Sequence, residues 1–201
     1  MQTIPLLQER EKLKMYIDCL NVILRAVEEK DMELLHRMIN APEIECMTVG
    51  GCFPVSFDRQ KRWFENYDQQ KELRCMIEIK GGATIGMIML TDIDWRNRTG
   101  VLGQKVLARV EERVENDVYN AMMGFLNYAF NELDLQCVYG TVLEYNLLSR
   151  KLARKCGLKE EGVLRNRIYK NGKRHNLIAN SIIKEDFDAA YKKYKEIVMQ
   201  Y

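Results

Sequence analysis

Three carboxylates stand where proton transfer can be done. Asp92 and Asp94 fall on one face of the end of a strand, with Trp95 beside them, and can hold or deprotonate a cationic acceptor. The plainer alternative, solvated turn carboxylates, stays open for both. Glu144 closes a second run rich in Val, Thr and Tyr, and is the other acid–base candidate. Two residues on, Asn146 is a strong helix N-cap, which puts Ser149 in the first turn of the helix that follows. Metal chemistry is not expected. His36 and His175 lie far apart, and none of the six cysteines forms a Cys-x-x-Cys pair. Cys75, Cys137 and Cys156 occupy core positions of the pattern and read as free buried thiols.

The elements that must position these groups follow from periodicity. Ala121, Met122, Phe125, Leu126, Ala129, Phe130 and Leu133 recur at helical spacing, so residues 116–133 form an amphipathic helix. Residues 136–143 read as a strand. Asn146 then caps a short helix through Cys156, with Leu148, Leu152 and Cys156 inward and Gly157 as its left-handed stop. Earlier in the chain, residues 21–26 read as a strand. Asp31 caps a helix carrying Leu34, Leu35, Met38 and Ile39 inward, and 41–54 is loop. Ser56 caps a helix bearing Phe57, Trp63, Phe64 and Tyr67. Strands at 74–80, 83–92 and 99–107 make an antiparallel meander, and Asn171-Gly172 joins strands at 163–169 and 174–183 as a hairpin. A final helix over 185–201 places Phe187, Tyr191, Tyr194, Ile197 and Val198 on one stripe, against the domain or a second subunit.

At 201 residues and 47% hydrophobic, the chain buries one good core, and no linker divides it. Three parts are expected: an N-terminal arm or helix at 1–20, the main domain at 21–184 and a C-terminal helix at 185–201. The 31 basic and 29 acidic residues leave a net charge of +2, which calls for neither nucleic acid nor an anionic membrane. The basic groups Arg150, Lys151, Arg154 and Lys155 read as a solvated face. Neither a signal peptide nor a membrane span is indicated, so the cytoplasm is the default.

Tyr128-Ala129-Phe130, Leu143-Glu144-Tyr145-Asn146, Ser149, Leu152, Lys155-Cys156-Gly157-Leu158, Glu160-Glu161-Gly162 and Asn171-Gly172-Lys173-Arg174-His175 resemble the GNAT N-acetyltransferases. The likeness is to the branch that acts on ribosomal-protein N-termini, polyamines and amino sugars. It implies a mixed α/β fold: a mostly antiparallel sheet of about seven strands, helices on both faces, and fourth and fifth strands that splay apart. It also implies acetyl-CoA as cosubstrate, lying in the splay, and a primary amine on a small molecule or peptide as acceptor. The pantetheine would pair with the fourth strand at Leu102, Gln104 and Val106. Asn146 would help hold the cosubstrate, Ser149 would stand near the thioester sulfur, and Lys151 would reach toward the 3'-phosphate. The resemblance aligns Arg113, Asn116 and Val118 with the diphosphate loop that opens the long helix.

Three positions depart from the family. Val101 stands where many members carry a carboxylate, Ala153 where many carry a tyrosine acid, and both glycines of the diphosphate loop are replaced. Asn116 or Asp117 would cap the helix at that loop. A rival expectation is therefore a GNAT-fold binding or regulatory module without normal CoA binding.

Overall fold

The computed structural model describes residues 16–51, 53–68, 70–106 and 112–199, with only the backbone at 112–115. The N-terminal part of the expected arm lies outside the described residues. Eight strands form one sheet in the order β1-β2-β3-β4-β5-β6-β8-β7. They are β1 (Tyr16–Cys19), β2 (Val22–Ala26), β3 (Leu73–Ile79), β4 (Thr84–Asp94), β5 (Thr99–Val106), β6 (Cys137–Leu143), β7 (Lys159–Lys170) and β8 (Lys173–Ile183). The helices are α1 (Met32–Ile39), α2 (Pro42–Glu45), α3 (Phe57–Asn66), α4 (Glu112–Asn131), α5 (Leu147–Lys155) and α6 (Lys184–Val198). All pairings are antiparallel except β5 with β6.

Alternation along the central strands builds a core on each face. Cys75, Ile77, Ile88 and Leu90 pack with α4 and α6, through Phe125, Phe130 and Phe187 among others. Met76, Met87 and Met89 point the other way, under Met32, Leu35 and Met38 of α1 and Ile44 of α2. β3 and β4 are therefore buried on both sides, the arrangement that near-continuous apolar runs support. α4 passes close to the sheet edge at Gly124, where a Cβ would lie 2.2 Å from Cys19 Sγ. Phe187, Tyr191 and Tyr194 of α6 stack in series on this core, so the helix packs on its own domain.

Several expectations change. The sheet has eight strands rather than about seven, because Tyr16–Cys19, read as part of the arm, pairs along β2 as an edge strand. Pro42 starts a one-turn helix inside the expected loop. Leu148 is 56% exposed and not part of an inward stripe, and Ile197 is likewise exposed. Cys137 is only half-buried, while Cys75 and Cys156 are buried.

Asp31 holds the N-cap position of α1, yet its carboxylate does not cap it. It receives Arg25 Nη1 at 2.7 Å and Nη2 at 2.8 Å, along with the Glu28 backbone N–H at 2.8 Å. Arg25 Nε also donates to Glu78 at 2.5 Å. This hydrogen bonding, chiefly to Asp31, raises the Arg25 pKa above its ordinary value. Both side chains of the Arg25–Asp31 pair are nearly sealed from water, so the pair ties α1 to the sheet. Asp31→Ala leaves the buried guanidinium with Glu78 as its one remaining ion-pair partner among the described residues, and we expect a loss toward the lower end of about 3–5 kcal/mol. Denaturant unfolding should read this as a lower midpoint with an unchanged slope.

Candidate active site

The parallel ladder of β5 and β6 consists of Thr99 with Cys137, Gly100 with Val138 and Val101 with Tyr139, and then stops. Beyond it the strands part. β5 continues through Leu102, Gln104 and Val106 with β4 on one side only, opposite Leu90, Ile88 and Gly86. β6 continues through Leu143 with β8. At the fork, Gly140 allows the last close approach: a Cβ there would meet the Leu102 carbonyl oxygen at 2.9 Å. The wedge so formed leaves a strand edge of β5 without a strand partner, and such groups require hydrogen bonds from elsewhere. Gln104 adds to the demand, since its Oε1 is buried with no partner. A linear amide-bearing chain laid along Leu102–Val106 would meet both needs, so this stretch fits a pantetheine arm.

α5 begins at the open end of the wedge. Asn146 Oδ1 caps it by accepting the Ser149 backbone N–H at 3.1 Å, and Asn146 Nδ2 donates to Met47 O at 3.0 Å. Its side chain is thus engaged at both ends, with the helix start and with the loop after α2. The neighbouring Tyr145 hydroxyl donates to Cys46 O at 2.6 Å. Lys170 adds a third tie, donating to Glu45 O at 2.7 Å and to the Glu45 carboxylate. Beside this tie, α1, α2, the following loop and the β7–β8 hairpin surround a cleft of about 840 Å³, lined in part by His36, Asn40, Phe53 and Tyr169. Ser149 is half-buried, and among the described residues no hydrogen bond occupies its hydroxyl. Ala153 packs on the core, which leaves no tyrosine acid on this helix.

The other expected site residues fall elsewhere. Glu144 lies at the end of β6, but it accepts the Asn176 backbone N–H at 3.0 Å and Asn176 Nδ2 at 2.8 Å, with His175 Nδ1 at 3.6 Å. The Asn176 backbone bond, then the side-chain bond and His175, hold its pKa below the usual carboxylate range, which opposes a role as general base. Asp94 is paired with Thr99 at the closed end, separated from the wedge by the ladder. It accepts the backbone N–H groups of Arg96 and Asn97, each at 2.9 Å, and its pKa is lowered chiefly by the Asn97 backbone bond. This is a turn carboxylate. Arg150, once set among the solvated basic groups, pairs with Glu160 and donates to Glu144 O. Lys151 is exposed on the same helix.

The diphosphate segment departs furthest from expectation. α4 already runs from Glu112, so Asn116, Asp117 and Val118 lie inside a helix and cap nothing. Their N–H groups belong to the i→i−4 ladder, and only donors ahead of them remain free. Val118 is buried, and Asp117 is fully buried with neither carboxylate oxygen partnered. These residues do not fit a diphosphate. Arg113 falls in the first turn, and its side chain lies outside the described residues.

A family model described as an acetyltransferase (GNAT) domain matches residues 21–159. The chain belongs to the GNAT acetyltransferase family. As a GNAT enzyme it is an acetyl-CoA-dependent N-acetyltransferase acting on a primary amine. It is 26% identical over 175 residues to a Bacillus subtilis protein that carries the name of a ribosomal N-acetyltransferase, covering 84% of this chain and 94% of the other. A prophage-derived N-acetyltransferase of the same organism is 27% identical over 168 residues, covering 84% and 93%. Among solved structures, the spermidine N-acetyltransferase of Vibrio cholerae in complex with CoA and spermine superposes with a TM-score of 0.75 at 23% identity. That match covers 83% of this chain and 98% of the other. Among the described residues, no helix is long and apolar enough to cross a membrane.

The roles of Tyr145, Lys170 and Asn176 were not legible in sequence, because their partners lie 99, 125 and 32 residues away. For Glu144 the native pKa is below the unfolded one, so the stability it contributes is present above about 4.5 and is lost as pH falls through the native value. Thermal unfolding of Glu144→Gln between pH 6 and pH 3 should therefore show a flatter acid limb than the parent. An equal slope would place the acid sensitivity elsewhere.

Proposed function

We propose that the acceptor is the α-amine of a peptide or protein N terminus, acetylated by direct attack at the wedge. The amine nitrogen bonds to the thioester carbonyl carbon, the C–S bond breaks, the ammonium proton passes to water, and the thiolate takes a proton from water, either directly or through the Ser149 hydroxyl, which regains its own from water. The observation that carries this reading is the parting of β5 and β6, with its unpaired strand edge and the orphan oxygen of Gln104. Asn146 is assigned to the start of α5, which presents Ser149, and the cosubstrate thioester supplies the activated acetyl group.

The choice of acceptor follows from the proton balance. Val101 offers no base, Glu144 is held acidic, and Asp94 lies behind the closed ladder. An α-amine with a pKa near 7.7–8.0 is neutral in about one molecule in seven at pH 7, whereas an alkylamine near 10.4 is neutral in less than about one in a thousand. A site without a dedicated base therefore favours the α-amine. The ribosomal N-acetyltransferase name of one relative agrees with this, while the spermine-bound neighbour supports a polyamine at the level of fold alone. Buried free thiols at Cys19, Cys75 and Cys156 suit a reducing compartment such as the cytoplasm.

Calorimetric titration with acetyl-CoA, followed by thiol release with N-terminal peptides and with polyamines, tests the assignment. We expect binding and faster release with peptides at pH 7. No binding at millimolar acetyl-CoA would instead support a module that has lost the reaction. Ser149→Ala should lower kcat by roughly 10- to 100-fold with little change in acetyl-CoA affinity. An unchanged kcat would leave the leaving-group proton to water alone.

A further inference from the structure

The sheet face under α1, α2 and α3 carries a cation that the acetyl transfer itself does not use. A Cβ at Gly103 would lie 3.2 Å from the Met89 side chain, and Met87 and Met89 belong to the cluster beneath these helices. Leu102 and Val106 pack into the opposite core. By alternation, Val101, Gly103 and Lys105 share the α1–α3 face. Lys105 stands opposite Met87, which stands opposite Met76, while Arg74 stands opposite Met89. Two cations are thus set on a floor of three methionines.

Their surroundings differ. Arg74 Nε donates to Glu72 at 2.7 Å, and its guanidinium lies 5.2 Å from the Trp63 ring centroid. Among the described residues, Lys105 has no hydrogen-bond or ion-pair partner. Burial, reinforced by the like charge of Arg74, lowers its pKa below the ordinary lysine value. A partly desolvated ammonium without a counter-ion is an unfavourable ground state, and an arriving carboxylate relieves it through a charge-assisted hydrogen bond. A cationic acceptor gains nothing comparable. Glu72 is held by Arg74, Glu78 by Arg25 and Glu45 by Lys170.

We propose that Lys105, supported by Arg74, is a specificity residue that selects acceptors carrying a carboxylate close to the amine, namely N-terminal segments with an acidic side chain among their first residues. The inference rests on the N-terminal reading above. Lys105 is four residues along β5 from Val101, at the same face and roughly 13 Å away. An extended peptide advances about 3.3–3.6 Å per residue, so this distance spans about four residues, and the lysine stem reaching back toward the amine brings the second to fourth positions within range.

The test uses the full chain with acetyl-CoA and two peptides, identical except that Asp and Glu at the second to fourth positions are replaced by Asn and Gln. We expect the parent to show a KM at least about tenfold lower for the acidic peptide. Lys105→Met should bring the two KM values together with kcat within about twofold. Lys105→Arg, which keeps the charge and cannot serve as a base, should preserve most of the preference. Equal KM values in the parent, or a preference that survives Lys105→Met, overturns the inference while leaving N-terminal acetylation in place. A large fall in kcat for Lys105→Arg with an unchanged KM ratio also overturns it, by assigning Lys105 to proton transfer. If both peptides fail and a polyamine releases thiol, the N-terminal reading falls first and this inference with it.

Discussion

The structure turns on a short parallel ladder that ends. β5 and β6 are paired for three residues each and then diverge, while each keeps its antiparallel neighbour on the far side. A sheet interrupted in this way leaves backbone groups at the fork that must find partners, because burying them unpaired costs more than a hydrogen bond returns. Gly140 makes the fork possible, since any side chain there would strike the Leu102 carbonyl. The two apolar clusters bury β3 and β4 from both faces, and the divergence falls inside the sheet, between β5 and β6. The wedge is where a chain of amides from another molecule can complete the ladder.

Several carboxylates among the described residues are committed to structure. Asp31 and Glu78 neutralise Arg25, Glu45 holds Lys170, Asp94 closes a turn, and Glu144 receives two bonds from Asn176. Each pairs a cation or satisfies backbone donors, and for Asp94 and Glu144 the donated bonds hold the carboxyl below the usual carboxylate range, which makes these two poorer proton acceptors. With Glu144 and Asp94 engaged in this way, the proposed reaction relies on an acceptor amine that arrives neutral.

At the head of α4, the helix that starts at Glu112 uses the backbone donors at Asn116 to Val118 internally, and Asp117 is buried there. The proposed pantetheine edge of β5 is open, whereas Asn116 to Val118 offer no free backbone donors to a diphosphate.

Sequence alone determined the elements whose causes are local. Asn146 caps α5, Ser56 caps α3 through the Arg59 N–H, and Asn171-Gly172 turns the β7–β8 hairpin with positive φ at both residues. Each depends on neighbours within a few positions, and these with the apolar periods made the elements legible, while the GNAT fold followed from resemblance to the family. Tertiary structure decided what distant residues do to one another. β1 is a strand only because β2 supplies its ladder, and Leu148 is exposed because its helix lies on the rim of the wedge rather than across the core. Glu144 became a structural carboxylate through Asn176, and Asp31 left its cap for Arg25. Lys105 stands beside Arg74 and, among the described residues, has no hydrogen-bond or ion-pair partner. Charge and hydrogen-bond partners act through space, so their assignment had to wait for the sheet that brings them together.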